Sequence, residues 1–172
     1  MGVFKHVLKA TSCFFFLACF LCLYGSYQRA SFYVQGVVGV TAAHIFLYYA
    51  FMTGNSAARQ QVMEEHAEKE EHFNRYRTYD KRMFVWERSF VNLYEQMVPF
   101  FAALWLHAVF GGNFQQTTYC GIAYVAIRSL YPLVYGGMNG IKTGSIFLVT
   151  LPNYLIIWGL VICTLSSFWD LV

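Results

Sequence analysis

A chain of 172 residues that is 58% hydrophobic, 20% aromatic and only 12% charged is far from the roughly 25% charged residues of an average soluble domain, so water is not its main solvent. Its length suits a single domain, most of which several membrane spans of ~20 residues would use. With a formal charge of +3 and no dense Lys/Arg run interleaved with aromatics, the sequence offers nothing for a nucleic-acid partner.

Five apolar stretches follow one another, at Val7–Tyr24, Phe32–Thr53, Phe90–Phe110, Thr117–Tyr135 and Ser145–Trp169. Each is about long enough to cross ~30 Å of hydrocarbon as a helix, which predicts an all-α integral membrane protein. The first, with Lys5 and Lys9 before a short apolar core and Gly25-Ser26 after it, also has the form of a signal peptide or presequence. Counting basic residues on alternate sides decides in favour of a span. One side, A, holds ten of the twelve, side B holds only Arg29, and Arg128 lies inside a span. Side A is then the cytosol, or the interior of an organelle such as the mitochondrion. The membrane is that of the endoplasmic reticulum or of such an organelle.

All five cysteines fall in apolar stretches, where Cys packs as a small hydrophobe. The C-x-x-C of Cys19 and Cys22 lies in an uninterrupted apolar run and lacks the βαβ context of a redox motif. Between the second and third spans, residues 56–88 contain no Gly or Pro and are rich in Glu, Lys, Arg and Gln, which predicts a charged helical extension of the flanking spans. His66 and His72 sit there among glutamates, but six residues apart they occupy roughly opposite helix faces. A solvated charged face is expected rather than a metal site.

The third span opens with Arg88, Asn92, Glu95 and Pro99 at i, i+4, i+7 and i+11, one helical stripe. The fourth carries Arg128, Tyr131 and Tyr135 at i, i+3 and i+7, again one face. Ionised side chains are expensive in a bilayer and point into the bundle, paired or lining a wet cavity. Measured along the helices from side A, Glu95 lies about 10 Å deep and Arg128 about 12 Å, so an ion pair between them is expected. Arg88, Asn92 and Glu95 with the two tyrosines predict a cavity open to side A. A cationic donor near the surface, an amide below it and a carboxylate deeper match a small zwitterion with carboxylates and an ammonium. Lys142, seven residues beyond Tyr135, adds positive charge on the same side.

At these residues the chain resembles the membrane-associated proteins in eicosanoid and glutathione metabolism (MAPEG), across about residues 36–168. The resemblance rests on Arg-x-x-x-Asn-x-x-Glu at Arg88, Asn92 and Glu95 followed by Pro99, then Arg-x-x-Tyr-x-x-x-Tyr at Arg128, Tyr131 and Tyr135, joined by Gly111-Gly112-Asn113. It implies a four-helix membrane domain at 31–172, to which residues 1–30 add an extra N-terminal transmembrane helix. It further implies a homotrimer with glutathione as co-substrate between protomers near the cytosolic face. Arg88, Asn92, Glu95, Tyr131 and Tyr135 would hold glutathione, Arg128 would brace Glu95, and Tyr135 with Lys142 would act on the thiol. The implied activity is glutathione-dependent transfer to, or peroxidase action on, a lipophilic substrate, with no metal. The family's enzymes carry an arginine beyond the second tyrosine, whereas the segment from Tyr135 to Ser145 has only Lys142, a point charge without the guanidinium fork. With the extra helix, that departure leaves open a second reading as a non-catalytic scaffold or an accessory subunit of a larger membrane complex.

Overall fold

The computed structural model describes residues 32–74, 76, 78–111, 113–137 and 144–169. The first apolar stretch, Cys19, Cys22 and Lys142 lie outside them. By its contacts the chain divides into Met1–Gln35 and Gly36–Val172, and the packing described below belongs to the second unit. The described elements are all helical: α1 (Phe32–Glu68), α2 (Lys81–Phe110), α3 (Phe114–Ser129), α4 (Tyr131–Gly137) and α5 (Gly144–Trp169). Two segments, Val34–Glu68 of α1 and Phe147–Ser167 of α5, are long and apolar enough on their own to cross a bilayer.

One apolar core joins the helices. Val37 and Val40 of α1, Phe100, Ala103 and Leu104 of α2, Tyr124 of α3, and Ile157 and Leu160 of α5 pack as a single buried cluster. The approach of α1 to α3 is close: a Cβ on Gly121 would stand 2.6 Å from a methyl of Val40. A missing side chain lets two backbones meet in this way within lipid, where close packing replaces the hydrophobic drive. Gly54 does the same beneath Trp86, whose ring carbon would lie 2.5 Å from an added Cβ.

Local sequence explains where the helices stop. The extension of α1 ends in a Schellman arrangement, with Glu71 N–H donating to His66 O (2.9 Å) and Glu70 N–H to Ala67 O (3.2 Å). Glu70 takes φ 58°, the left-handed cap position usually given to glycine. The charged segment is therefore not helical throughout, contrary to the expectation for 56–88: its described residues between Glu68 and Lys81 are a non-helical linker. Within it Asn74 Oδ1 accepts from Tyr76 N–H (3.0 Å), and Asp80 caps α2 by accepting from Arg82 N–H (2.7 Å). At the other end of α2, Asn113 caps α3 through Gln116 N–H (2.9 Å). The Thr117 hydroxyl donates to Asn113 O (2.8 Å), so the 2.6 Å contact between His107 Nδ1 and Thr117 Oγ1 has the imidazole as donor.

The expected span Thr117–Tyr135 is two helices. Pro132 has no N–H to return to the Arg128 carbonyl, one turn earlier, and the chain turns at Leu130 (φ −78°, ψ −11°). Val134 N–H then bonds Leu130 O at 3.0 Å, so α4 restarts at once.

Candidate functional site

The N-terminal half of α2 presents a ladder of side chains toward α3 and α4. Ser89, Leu93 and Gln96 are buried, which turns Arg88, Val91, Asn92 and Glu95 to one margin of the helix. Opposite them, Tyr131 is 5% exposed and Tyr135 half-buried. Together Arg88, Val91, Asn92, Glu95, Tyr131 and Tyr135 line an open cleft of about 200 Å³. The five residues expected at a side-A cavity thus share one wall-to-wall site, with Val91 as its apolar patch.

Arg128 forms the floor, and here the expectation is corrected. Arg128 is 1% exposed, and its guanidinium donates through Nη2 to the Asn92 carbonyl at 2.7 Å and to Asn92 Oδ1. It does not reach Glu95 at ion-pair distance: Glu95 sits on the exposed margin, whereas Arg128 points across at the turn that carries Asn92. A buried cation takes the nearest acceptors, and a backbone carbonyl with a side-chain amide supplies them with less desolvation than a second charge. Arg128 therefore braces Asn92, while its Nε and Nη1 find no acceptor among the described residues. One turn deeper, Tyr124 and Gln96 repeat the α3-to-α2 pairing, with 3.5 Å between Tyr124 Oη and Gln96 Oε1.

The break at Leu130 leaves the two tyrosines aligned. Their rings stack with centroids 5.7 Å apart and 9° between planes, and Arg128 lies over the Tyr131 ring at 5.3 Å. Three positive or π-rich surfaces thus follow one another from floor to rim. The shared face read from i, i+3 and i+7 survives because α4 resumes helical geometry within one residue.

A residue that sequence reasoning passed over also meets this site. Phe84, one turn before Arg88, has the Arg88 guanidinium 5.5 Å from its ring centroid and the Tyr135 ring 5.7 Å away. The i−4 spacing from Arg88 was the available signal, hidden because a phenylalanine at a membrane surface looks like an anchor. On the side-A surface beyond, Arg82 forks onto Glu65 at 2.7 Å through each nitrogen and onto Asp80 at 2.9 Å. Arg82 holds both carboxyls below their ordinary values, chiefly by hydrogen bonding, and its own pKa is raised in return. Arg59 and Glu87 make a second link from α1 to α2, at 3.3 Å. Among the described residues no cluster of His, Cys, Asp and Glu could hold a metal ion.

The curated proteins searched contain no match to the chain. One family model matches, that of the MAPEG family, over residues 33–166.

Proposed function

Because the chain belongs to the MAPEG family and is an integral membrane protein of the helical kind, we propose that its side-A cleft binds glutathione and presents the thiol to a lipophilic electrophile or lipid hydroperoxide. The observation that carries this reading is the convergence of Arg88, Asn92, Glu95, Tyr131 and Tyr135 on one cleft. Glutathione has two carboxylates, an ammonium and two amides. Arg88 is the bidentate partner for a carboxylate, Glu95 for the ammonium, and Asn92, held by Arg128, for an amide.

The tyrosine hydroxyls are the donors suited to the sulfur. A hydroxyl that donates to a thiolate favours the ionised form, and the thiolate is the nucleophile. Attack on an electrophilic carbon forms a thioether, either as a leaving group departs with its electron pair or as an activated double bond or epoxide opens and the resulting anion takes up the thiol proton. With a hydroperoxide, two glutathione molecules become the disulfide while the peroxide becomes an alcohol and water. Tyr135 is proposed for this role, joined by Lys142 as a cationic neighbour. A cleft of about 200 Å³ is below the roughly 300–1,000 Å³ of complete ligand pockets. That supports a site finished by a second protomer, as in a homotrimer, and the membrane we propose is that of the endoplasmic reticulum or an organelle.

Calorimetry on the purified protein tests the reading. Millimolar glutathione is expected to give saturable heat, and Arg88→Ala to weaken binding about 10- to 100-fold, the worth of one charge-assisted bond. Absence of heat from the unsubstituted protein would sink it. The lack of an arginine between Tyr135 and Ser145, where Lys142 is the basic residue, favours a second reading, a non-catalytic scaffold or accessory subunit. Glutathione binding without turnover of model electrophiles or hydroperoxides would select that one.

A further inference from the structure

The two walls of the cleft come from separate helices, α2 and α4, and below them at the floor Arg128 of α3 grips Asn92 of α2. At the rim, Arg88 rides on α2 and Tyr135 on α4, beyond the break at Leu130. A long arginine on an exposed helix margin and a ring on a seven-residue helix both carry conformational freedom that binding must remove. Phe84 touches both. Its ring lies under the Arg88 guanidinium at 5.5 Å and against Tyr135 at 5.7 Å with 41° between planes. Tyr135 in turn stacks on Tyr131. On its outer side Phe84 meets Tyr79 of the linker, centroids 5.8 Å apart at 45°.

From this geometry we infer that Phe84 is a positioning residue of the cleft, a single aromatic ring that sets Arg88 and Tyr135 at their working separation. The inference deepens the reading of the cleft as a glutathione site and rests on it. Aromatic character is what the position requires. The ring face attracts a guanidinium through its quadrupole, while its edge and face pack against a second ring in a tilted pair. An aliphatic side chain of similar bulk fills the space but supplies neither. With Phe84 in place, Arg88 is pre-aimed into the cleft, and Tyr135 is held upright against Tyr131 despite the missing helix bond before Pro132.

The experiment compares Phe84→Leu, which keeps bulk, with Phe84→Tyr, which keeps the ring, in the full-length purified protein. Two readouts are taken: the glutathione dissociation constant, and the rate at which phenylglyoxal modifies Arg88, followed by mass spectrometry of its peptide. Phe84→Leu is expected to weaken glutathione roughly two- to fivefold, the range of an exposed cation–π contact, and to speed modification of Arg88. Phe84→Tyr is expected to restore both. Equal behaviour of the Leu and Tyr variants in both readouts overturns the inference. A protein that binds no glutathione overturns the function proposed above, and the phenylglyoxal rates then decide the role of Phe84 alone. Phe84→Met provides the same comparison if Phe84→Leu does not fold.

Discussion

At the scale of single residues, the interior of the bundle contains a side chain that its surroundings do not satisfy. His44 is fully buried and boxed by rings, with Phe100 at 5.2 Å, Phe101 at 4.9 Å and Tyr124 at 5.9 Å. Neither ring nitrogen has a hydrogen-bond partner among the described residues. An aromatic box accepts a phenyl ring as readily as an imidazole, and removing a polar group that has no partner is neutral or stabilising. His44→Phe is therefore expected to leave the thermal midpoint in detergent unchanged or to raise it. A drop of several degrees would mean that the imidazole has a bonding role. Arg128 makes the complementary point about legibility. Spacing alone told that it faced the bundle, because a charge at that depth has nowhere else to go. Which acceptor it would take was not legible, since the choice between Glu95 and Asn92 turns on a few ångströms of side-chain reach across two helices.

Among elements, α1 and α2 are tied together outside the apolar zone by charge. Arg82 clamps Glu65 of α1 while Asp80 caps α2 and shares the same guanidinium. Both carboxyls titrate below their ordinary values of 4.5 and 3.8, so their contribution is present in full above that range and is lost as pH falls through the lower folded values. The raised pKa of Arg82 changes nothing until far above neutrality. Asp80→Ala removes the cap and one arm of the clamp. A loss of about 1 kcal/mol is expected from the cap, a few degrees of midpoint in thermal unfolding. The gap between variant and parent should be present at pH 7 and shrink near pH 3. A gap of equal size at both values would show that the clamp does not act through the ionised carboxylate. The helices themselves were read from apolar length, but their ends were not. A glutamate in a left-handed cap ends α1 without the usual glycine, and the break at Leu130 depends on a carbonyl that Pro132 leaves without its donor. The capping residues Asp80 and Asn113 did carry a sequence signal. In the charged linker, helix propensity outweighed it in the reading and lost to local capping in the structure.

For the molecule as a whole, the cleft lies on an open flank of one copy, with Glu95 and Arg88 exposed beside Val91 and Tyr94. A site whose polar groups face outward at membrane depth needs a neighbour to exclude lipid from it. Under the glutathione-binding function proposed above the expected particle is a homotrimer, and native mass spectrometry from a mild detergent checks it by giving three times the 19.8 kDa chain. A monomeric mass, or a stoichiometric foreign subunit, would favour the accessory-subunit reading instead. The length of α1 has a practical consequence of its own. The helix has 37 residues, and its part beyond Met52, rich in charged and polar residues, is about 24 Å long at 1.5 Å per residue. The charged part of α1 and the start of α2, held together by Arg82 and Arg59, thereby present a polar pair of helix ends. That pair is the natural grip for an antibody fragment, and the place where a crystal lattice can form without competing with detergent.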